Sequence, residues 1–144
     1  MARGLPELEK LCNALPDRID KAASEMAIDV TISMARDLIV HTPVDITTAV
    51  SNWQASIGVP ASFELPAIYP GEKGSTAPAS RAEALGHVTR TLEDKDPGAT
   101  IYLSNLTPYI IDLNNGTSAQ EPAGFFERGV LVGERYAQTA TLRF

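Results

Sequence analysis

Residues able to do chemistry are few in this chain, and they are scattered. His41 and His87 are its two histidines and Cys12 its one cysteine. A general base needs a nucleophile or bound proton donor within hydrogen-bond reach, and a metal site needs several convergent ligands. Two histidines far apart in sequence cannot build a multi-histidine centre, so each reads as a surface or turn residue. No HExxH, GxSxG or CxxC pattern occurs. Gly71-Glu72-Lys73-Gly74-Ser75-Thr76 imitates a phosphate loop, but Lys73 precedes Gly74 rather than following it, and no buried strand leads in. Asp94 and Asp96 flank Lys95 before Pro97 and read as a solvated turn. Asp112 reads as exposed or bonded to nearby backbone. Cys12, set among Leu8, Leu11 and Leu15, reads as a small hydrophobe in a core or interface. Trp53 is the one tryptophan and reads as a core anchor, because no basic groove accompanies it as a stacking site would require. The expectation is a protein without catalytic residues, cofactor or metal, working by its shape and surface.

Bulk properties narrow the class further. With 144 residues and 44% hydrophobic content, the chain suits one domain with one modest core. A formal net charge of −6 argues against tight sequence-independent nucleic-acid binding, which uses clustered Lys and Arg. The same charge suits the wall of a passage through which DNA slides without sticking. A single cysteine allows no internal disulfide and fits a reducing cytoplasm as the place of synthesis. No run approaches the roughly 18 apolar residues that cross a membrane, and the first residues lack the apolar stretch of a signal peptide. Asn105-Leu106-Thr107 and Asn115-Gly116-Thr117 match the glycosylation pattern, but turn chemistry explains both.

Few elements are available to position these residues. Residues 3–15 carry Leu5, Leu8, Leu11 and Leu15 at helical spacing, and Pro16 is expected to end that helix. A long helix over 17–40 would span roughly 36 Å. Its main stripe is Ile19, Ala23, Met26, Ala27, Val30, Met34 and Leu38, and a second runs through Ile28, Ile32, Ala35 and Ile39. A helix apolar on two sides must be covered on two sides. The cover is either the first helix folded back, or a neighbouring subunit, or both. Pro43 ends the helix. Trp53, Ala55 and Ile57 alternate with polar residues as a half-buried strand, stopped by Gly58 and Pro60. Residues 59–79 form a long Pro/Gly-rich loop. Ser80 and Glu83 fit a capping box that opens a helix to about Leu92. A second strand follows over 99–104, with Ile101 and Leu103 inward. Thr107-Pro108 opens a short helix that Asn115-Gly116 stops, and Pro122 opens a last helix to about Ala137. Residues 138–144 read as an edge strand or an arm. The sum is an α+β domain over residues 1–144: a small antiparallel sheet packed against a long N-terminal helix and a C-terminal helix.

Two stretches carry a resemblance. Thr42-Pro43-Val44-Asp45 is followed by Ser51-Asn52-Trp53-Gln54-Ala55-Ser56-Ile57-Gly58. Later, Tyr109 to Ser118, with Gly116-Thr117 inside it, is followed by Pro122-Ala123-Gly124-Phe125. In this order, over roughly residues 18–137, they resemble the tail-component, or minor tail protein Z-like, family of tailed bacteriophages. Where that family has Thr-Gly-Arg after the aspartate, this chain has Ile46-Thr47-Thr48. The resemblance implies a virion structural protein of the neck or tail-completion region. Its partners would be copies of itself in a ring, usually hexameric, together with the tail tube or terminator and the head–tail connector. DNA would only pass through the channel. The competing expectation is a small soluble prophage-encoded binding or regulatory module absent from virions. Apolar loop residues need covering somewhere, so Phe63, Leu65, Ile68 and Tyr69 are expected to meet a neighbour, along with Ile28 and Ile32 on the long helix.

Overall fold

The computed structural model describes residues 4–144, and Arg3, where the first helix was expected to begin, lies outside them. Helix α1 runs without interruption from Leu5 to His41. No glycine occurs in that span, and its Ala, Leu, Met, Glu and Lys residues are good helix formers. Pro16 does not break it, contrary to the expectation from sequence. A proline inside a helix removes one hydrogen bond. Here every residue from Leu5 to Lys21 is exposed, so water can satisfy the carbonyl freed at Cys12. The N-terminal segment therefore does not fold back over the rest of the helix; it extends the same rod.

The helix stops where Pro43 forces its predecessor out of helical geometry. Thr42 has φ −68° and ψ 122°, and both its N–H and its hydroxyl donate to the Leu38 carbonyl, at 3.0 and 2.6 Å. A single turn, α2 (Thr48–Ser51), leads into β1 (Trp53–Ile57). After the long loop come α3 (Ala77–Glu93), β2 (Ile101–Asn105), α4 (Ile110–Asn114) and α5 (Phe125–Thr139). Strands β1 and β2 pair antiparallel, with Trp53 opposite Asn105 and Ile57 opposite Ile101. The fold is α+β.

The starts of three later helices differ from the sequence reading, and β2 starts at Ile101 rather than at 99. Helix α3 opens at Ala77, because Pro78 sits in its first turn, where no N–H is needed. Ser80 is consequently not a cap. It is buried one turn in and donates to the Tyr69 carbonyl at 3.3 Å, while Glu83 pairs with His87 and Arg90 instead. Helix α4 begins at Ile110, not at Pro108, so Thr107 does not cap it. Helix α5 begins at Phe125 because Gly124 takes a left-handed φ of 88° that a helix cannot include. Residues 140–144 form no strand; they return along α1 beside Arg18, Lys21 and Ala22.

The core gathers Leu38 and Ile39 of α1, Val50, Trp53, Val88 and Leu92 of α3, Ile110 and Phe125. Phe125 is fully buried, which is worth roughly 3 kcal/mol relative to exposure. Over residues 26–39 both stripes of α1 are at least partly covered by this chain, whereas Ile19 and Ala23 of the main stripe stay exposed. Ile28, Ile32, Ala35 and Ile39 face the core, Ile28 and Ile32 being only half-buried there. Val30, Met34 and Leu38 face α5, where Gly129 and Gly133 admit them. A Cβ on Gly129 would lie 2.6 Å from Leu38 Cδ2, and one on Gly133 would overlap Met34. These glycines let α5 lie close against α1, antiparallel to it.

Candidate functional site

The segments that carry the family resemblance meet in space. Trp53 Nε1 donates to Thr42 Oγ1 at 2.8 Å, inside the core. The Trp53 ring stands edge-on to Phe126, with centroids 5.5 Å apart. Gln120 brackets Val44: its Oε1 accepts the Val44 N–H at 2.9 Å and its Nε2 donates to the Val44 carbonyl at 3.1 Å. Asn114 Oδ1 accepts the N–H of Phe126 at 2.8 Å. Gly116 turns left-handed, at φ 89°, and a Cβ on it would lie 3.2 Å from the Ala123 nitrogen. Thus the 42–45 turn, the first strand, the 109–118 segment and the start of α5 form one hydrogen-bonded knot. Its chemistry is structural, since its polar groups are spent on each other.

The long loop is built rather than loose. Asn52 takes the N–H of Leu65 on Oδ1 at 2.6 Å and donates from Nδ2 to the Leu65 carbonyl at 2.8 Å. Ser51 Oγ accepts the Ile68 N–H at 3.0 Å. The Tyr69 carbonyl receives hydroxyls from Thr47, Thr76 and Ser80. Buried Asn52 and Ser51, adjacent to the strand, hold the loop as a backbone would. Leu65 and Ile68 are therefore turned inward and half-buried, Ile68 against the core. Phe63 and Tyr69 point outward, Phe63 being 67% exposed. The Gly71–Thr76 turn is tied to the 42–45 turn: Asp45 accepts the N–H of Lys73 on Oδ1 and that of Gly74 on its carbonyl, both at 2.9 Å. Lys73 N–H is committed there, which is a physical reason against a phosphate cradle at this turn.

The other titratable residues form local pairs. His41 Nδ1 lies 3.1 Å from Glu121 Oε2, and Arg128 pairs with the other oxygen of Glu121. His87 lies 3.2 Å from Glu83, which Arg90 also contacts at 2.7 Å. The Arg90 hydrogen bond, with charge from Arg90 and His87, holds the Glu83 carboxyl below the ordinary glutamate range. Asp112 is exposed, and its carbonyl accepts from Thr117. In the 94–96 turn the anchoring group is Lys95, whose Nζ donates to Ser24 Oγ at 2.8 Å. No group of three or more His, Cys, Asp or Glu among the described residues could hold a metal. No helix among them is long and apolar enough to cross a membrane.

An uncovered apolar row on α1 was not singled out from sequence. Leu5, Leu8, Leu11, Leu15 and Ile19 run along the projecting first half of α1, from 81% exposed at Leu5 to 39% at Ile19. Their helical spacing was visible, but the expected break at Pro16 split them between two helices, to be covered by the first folding back or by a neighbouring subunit. At the root of this arm is a cleft of about 540 Å³ lined by Ala22, Met26, Tyr136 and Leu142 among others. The arm, together with Phe63 and Tyr69 on the loop, is the candidate interaction surface. Comparison with known proteins gives no match: no family model, no curated protein and no solved structure matches the chain.

Proposed function

We propose that this chain is a structural subunit of a tailed-bacteriophage particle, part of the neck or tail-completion ring that joins the tail tube to the head connector. The observation that carries the reading is the convergence of the resembling segments. Thr42 and Val44, Trp53, Asn114, Gly116 and Phe126 are far apart in sequence yet support one another in a single knot. Such mutual support is what a shared fold needs from residues held at fixed order and spacing. An exposed apolar arm and two outward aromatic loop residues suit a subunit whose work is contact with neighbours. In this reading copies of the chain form a ring, six-fold as in long-tailed phages, and touch the tail terminator on one side or the connector on the other. The net charge of −6 keeps DNA from adhering as it passes through the channel.

The experiment is electron microscopy of particles made after deleting this gene from the genome that carries it. The expected result is DNA-filled heads beside separate or malformed tails. Normal infectious particles would overturn the reading and favour a binding module absent from virions.

A further inference from the structure

Apolar positions on the first half of α1 follow a stricter rule than helical amphipathicity. Leu5, Leu8, Cys12, Leu15, Ile19, Ala22 and Met26 are separated by alternating steps of three and four. That alternation is a 3.5-residue repeat, the pattern by which one helix packs along another over many turns. Further along, the same side of α1 is already covered by a helix. Gly129 of α5 lies against Leu38, Gly133 against Met34, and Tyr136 reaches Asp29. Helix α5 therefore runs antiparallel to α1, towards its N-terminal end, and stops at Thr139. Residues 140–144 reach as far as Arg18. Beyond that the repeat continues along the arm with nothing over it.

We propose that two free copies of this chain pair through their arms, antiparallel, with residues 5–22 of each α1 packed together about a two-fold axis near Asn13. Three observations bear on a second copy and its orientation. Layer volumes are the first. Antiparallel pairing sets Leu8 against Ile19 and Cys12 against Leu15 of the other copy and brings Leu5 over the cleft at the buried Ala22, so small residues meet large ones and the layers fill evenly. A parallel pair would stack Cys12 on Cys12 between layers of paired leucines, leaving a thin layer between thick ones.

Charge is the second. The chain carries −6 overall, so two copies repel except where charge is balanced. From Gly4 to Lys21 the acids Glu7, Glu9, Asp17 and Asp20 are nearly offset by Lys10, Arg18 and Lys21. Beside the seam, antiparallel pairing places Leu11 by Arg18, Glu9 by Pro16 and Gly4 by Glu25 of the other copy. None of these is a like-charge pair, so charge permits a second copy, while the orientation rests on the layers and on α5.

Continuity with α5 is the third. An antiparallel second α1 runs in the same direction as α5 and takes up the cover close to where α5 ends. The negative C-terminal end of α5 then points towards the positive N-terminal end of the incoming helix. Between them lies the cleft bordered by Ala22, Met26 and Leu142, with Phe144 half exposed nearby. Leu5, the most exposed large hydrophobic among the described residues at 81%, arrives there. A parallel second copy would instead bring its own α5 and C-terminal residues alongside this one.

The paired length is about 26 Å, and the contact is on the order of 1,000 Å² counting both copies, the low end for specific association. Pairing is therefore reversible and concentration-dependent. A two-fold pair closes on itself and cannot grow into a ring, so it is the form of the free subunit. The inference goes beyond the neck-subunit reading and does not depend on it.

Sedimentation velocity of the whole chain under reducing conditions tests the pairing. The expected result is a monomer–dimer equilibrium with a midpoint on the order of 10–100 μM, weakened at least about tenfold by Leu8→Lys. Because Leu8 is exposed, Leu8→Lys should leave the circular-dichroism melt of the domain unchanged. Orientation is tested by mild oxidation. Leu15→Cys in the presence of native Cys12 should give a covalent dimer. Leu15→Cys combined with Cys12→Ser should give much less. A chain that stays monomeric to about 500 μM, or a dimer indifferent to Leu8→Lys, would overturn the proposal. Equal crosslinking with and without Cys12 would overturn the antiparallel orientation.

Discussion

Trp53 donates its indole N–H to the Thr42 hydroxyl at 2.8 Å, and that hydroxyl donates onward to the Leu38 carbonyl at 2.6 Å. One side chain thus closes the end of α1 and satisfies the buried tryptophan of β1. Thr42→Val keeps the shape and removes the oxygen, which strands a buried N–H at a cost of about 2 kcal/mol. Trp53→Phe also destabilises, through lost volume. In the double variant no stranded indole remains, so its loss of stability should be less than the sum of the two single losses. Urea denaturation followed by far-UV circular dichroism measures all three. Simple additivity would show that the two residues do not act as a unit.

The approach of α5 to α1 depends on hydrogen atoms at Gly129 and Gly133. Leu38, against Gly129, is fully packed in the core, whereas Met34, against Gly133, is half-buried and flexible. Gly129→Ala should cost about 2 kcal/mol through overpacking, even after the gain in helix propensity. Gly133→Ala should cost less, because Met34 can turn aside. Val130→Ala, on the exposed face, should change stability by under about 0.5 kcal/mol. Chemical denaturation of the three variants ranks them. A stabilised Gly129→Ala variant would mean that the helices can separate freely.

Sequence patterns reached the architecture and missed the exceptions, for identifiable reasons. The 51–57 alternation and the Ile101–Leu103 pair mark strands because a two-stranded sheet with one covered face repeats every second residue. Pro43 marked the end of α1 because its effect on Thr42 is local. Pro16 misled because a proline ends a helix only when nothing favours continuing it, and the 3–4 repeat on both sides of Pro16 does favour it. Ser80 misled because a capping box and a buried serine facing a loop carbonyl look alike in sequence. The roles of Gly129 and Gly133 depend on which helix lies opposite, and that is not local information. At the candidate surface, Phe63 and Tyr69 stay exposed. Leu65 and Ile68 are drawn inward by Asn52 and Ser51, partners up to 17 residues away.

Glu127 sits in the first turn of α5, and its carboxyl is held below the ordinary glutamate range by its own backbone N–H first and then by the Asn114 side chain. A carboxyl whose folded pKa is depressed contributes stability above its unfolded value, and that contribution disappears as pH falls through the folded value. Glu127→Gln should therefore lower the melting temperature at neutral pH, and the difference from the parent should close on acidification below the usual glutamate range. Because the carboxyl is exposed, added salt should shrink the effect. Melting curves from neutral pH down to about pH 3 measure it. A difference that grows with acidification would contradict the assigned direction.

The arm and the body of α1 should behave as separate parts of one helix. Every residue from Leu5 to Lys21 is exposed, whereas Thr31, Ala35, Leu38 and Ile39 are buried. Packing, not intrinsic propensity, supplies most of the stability of a helix in water, and in the isolated subunit the arm has little packing. Its amides should exchange with solvent orders of magnitude faster than those of residues 30–40. Pro16 adds to this by removing one helical hydrogen bond. Pro16→Ala should restore it, worth up to about 3 kcal/mol of local helix stability, and should slow exchange around residues 12–20 without moving the melting temperature of the domain. Hydrogen exchange read by mass spectrometry at concentrations too low for association gives both answers. Strong protection of the arm in a dilute monomer would mean that contacts within the single chain hold it, and the arm could not then be a surface waiting for a partner.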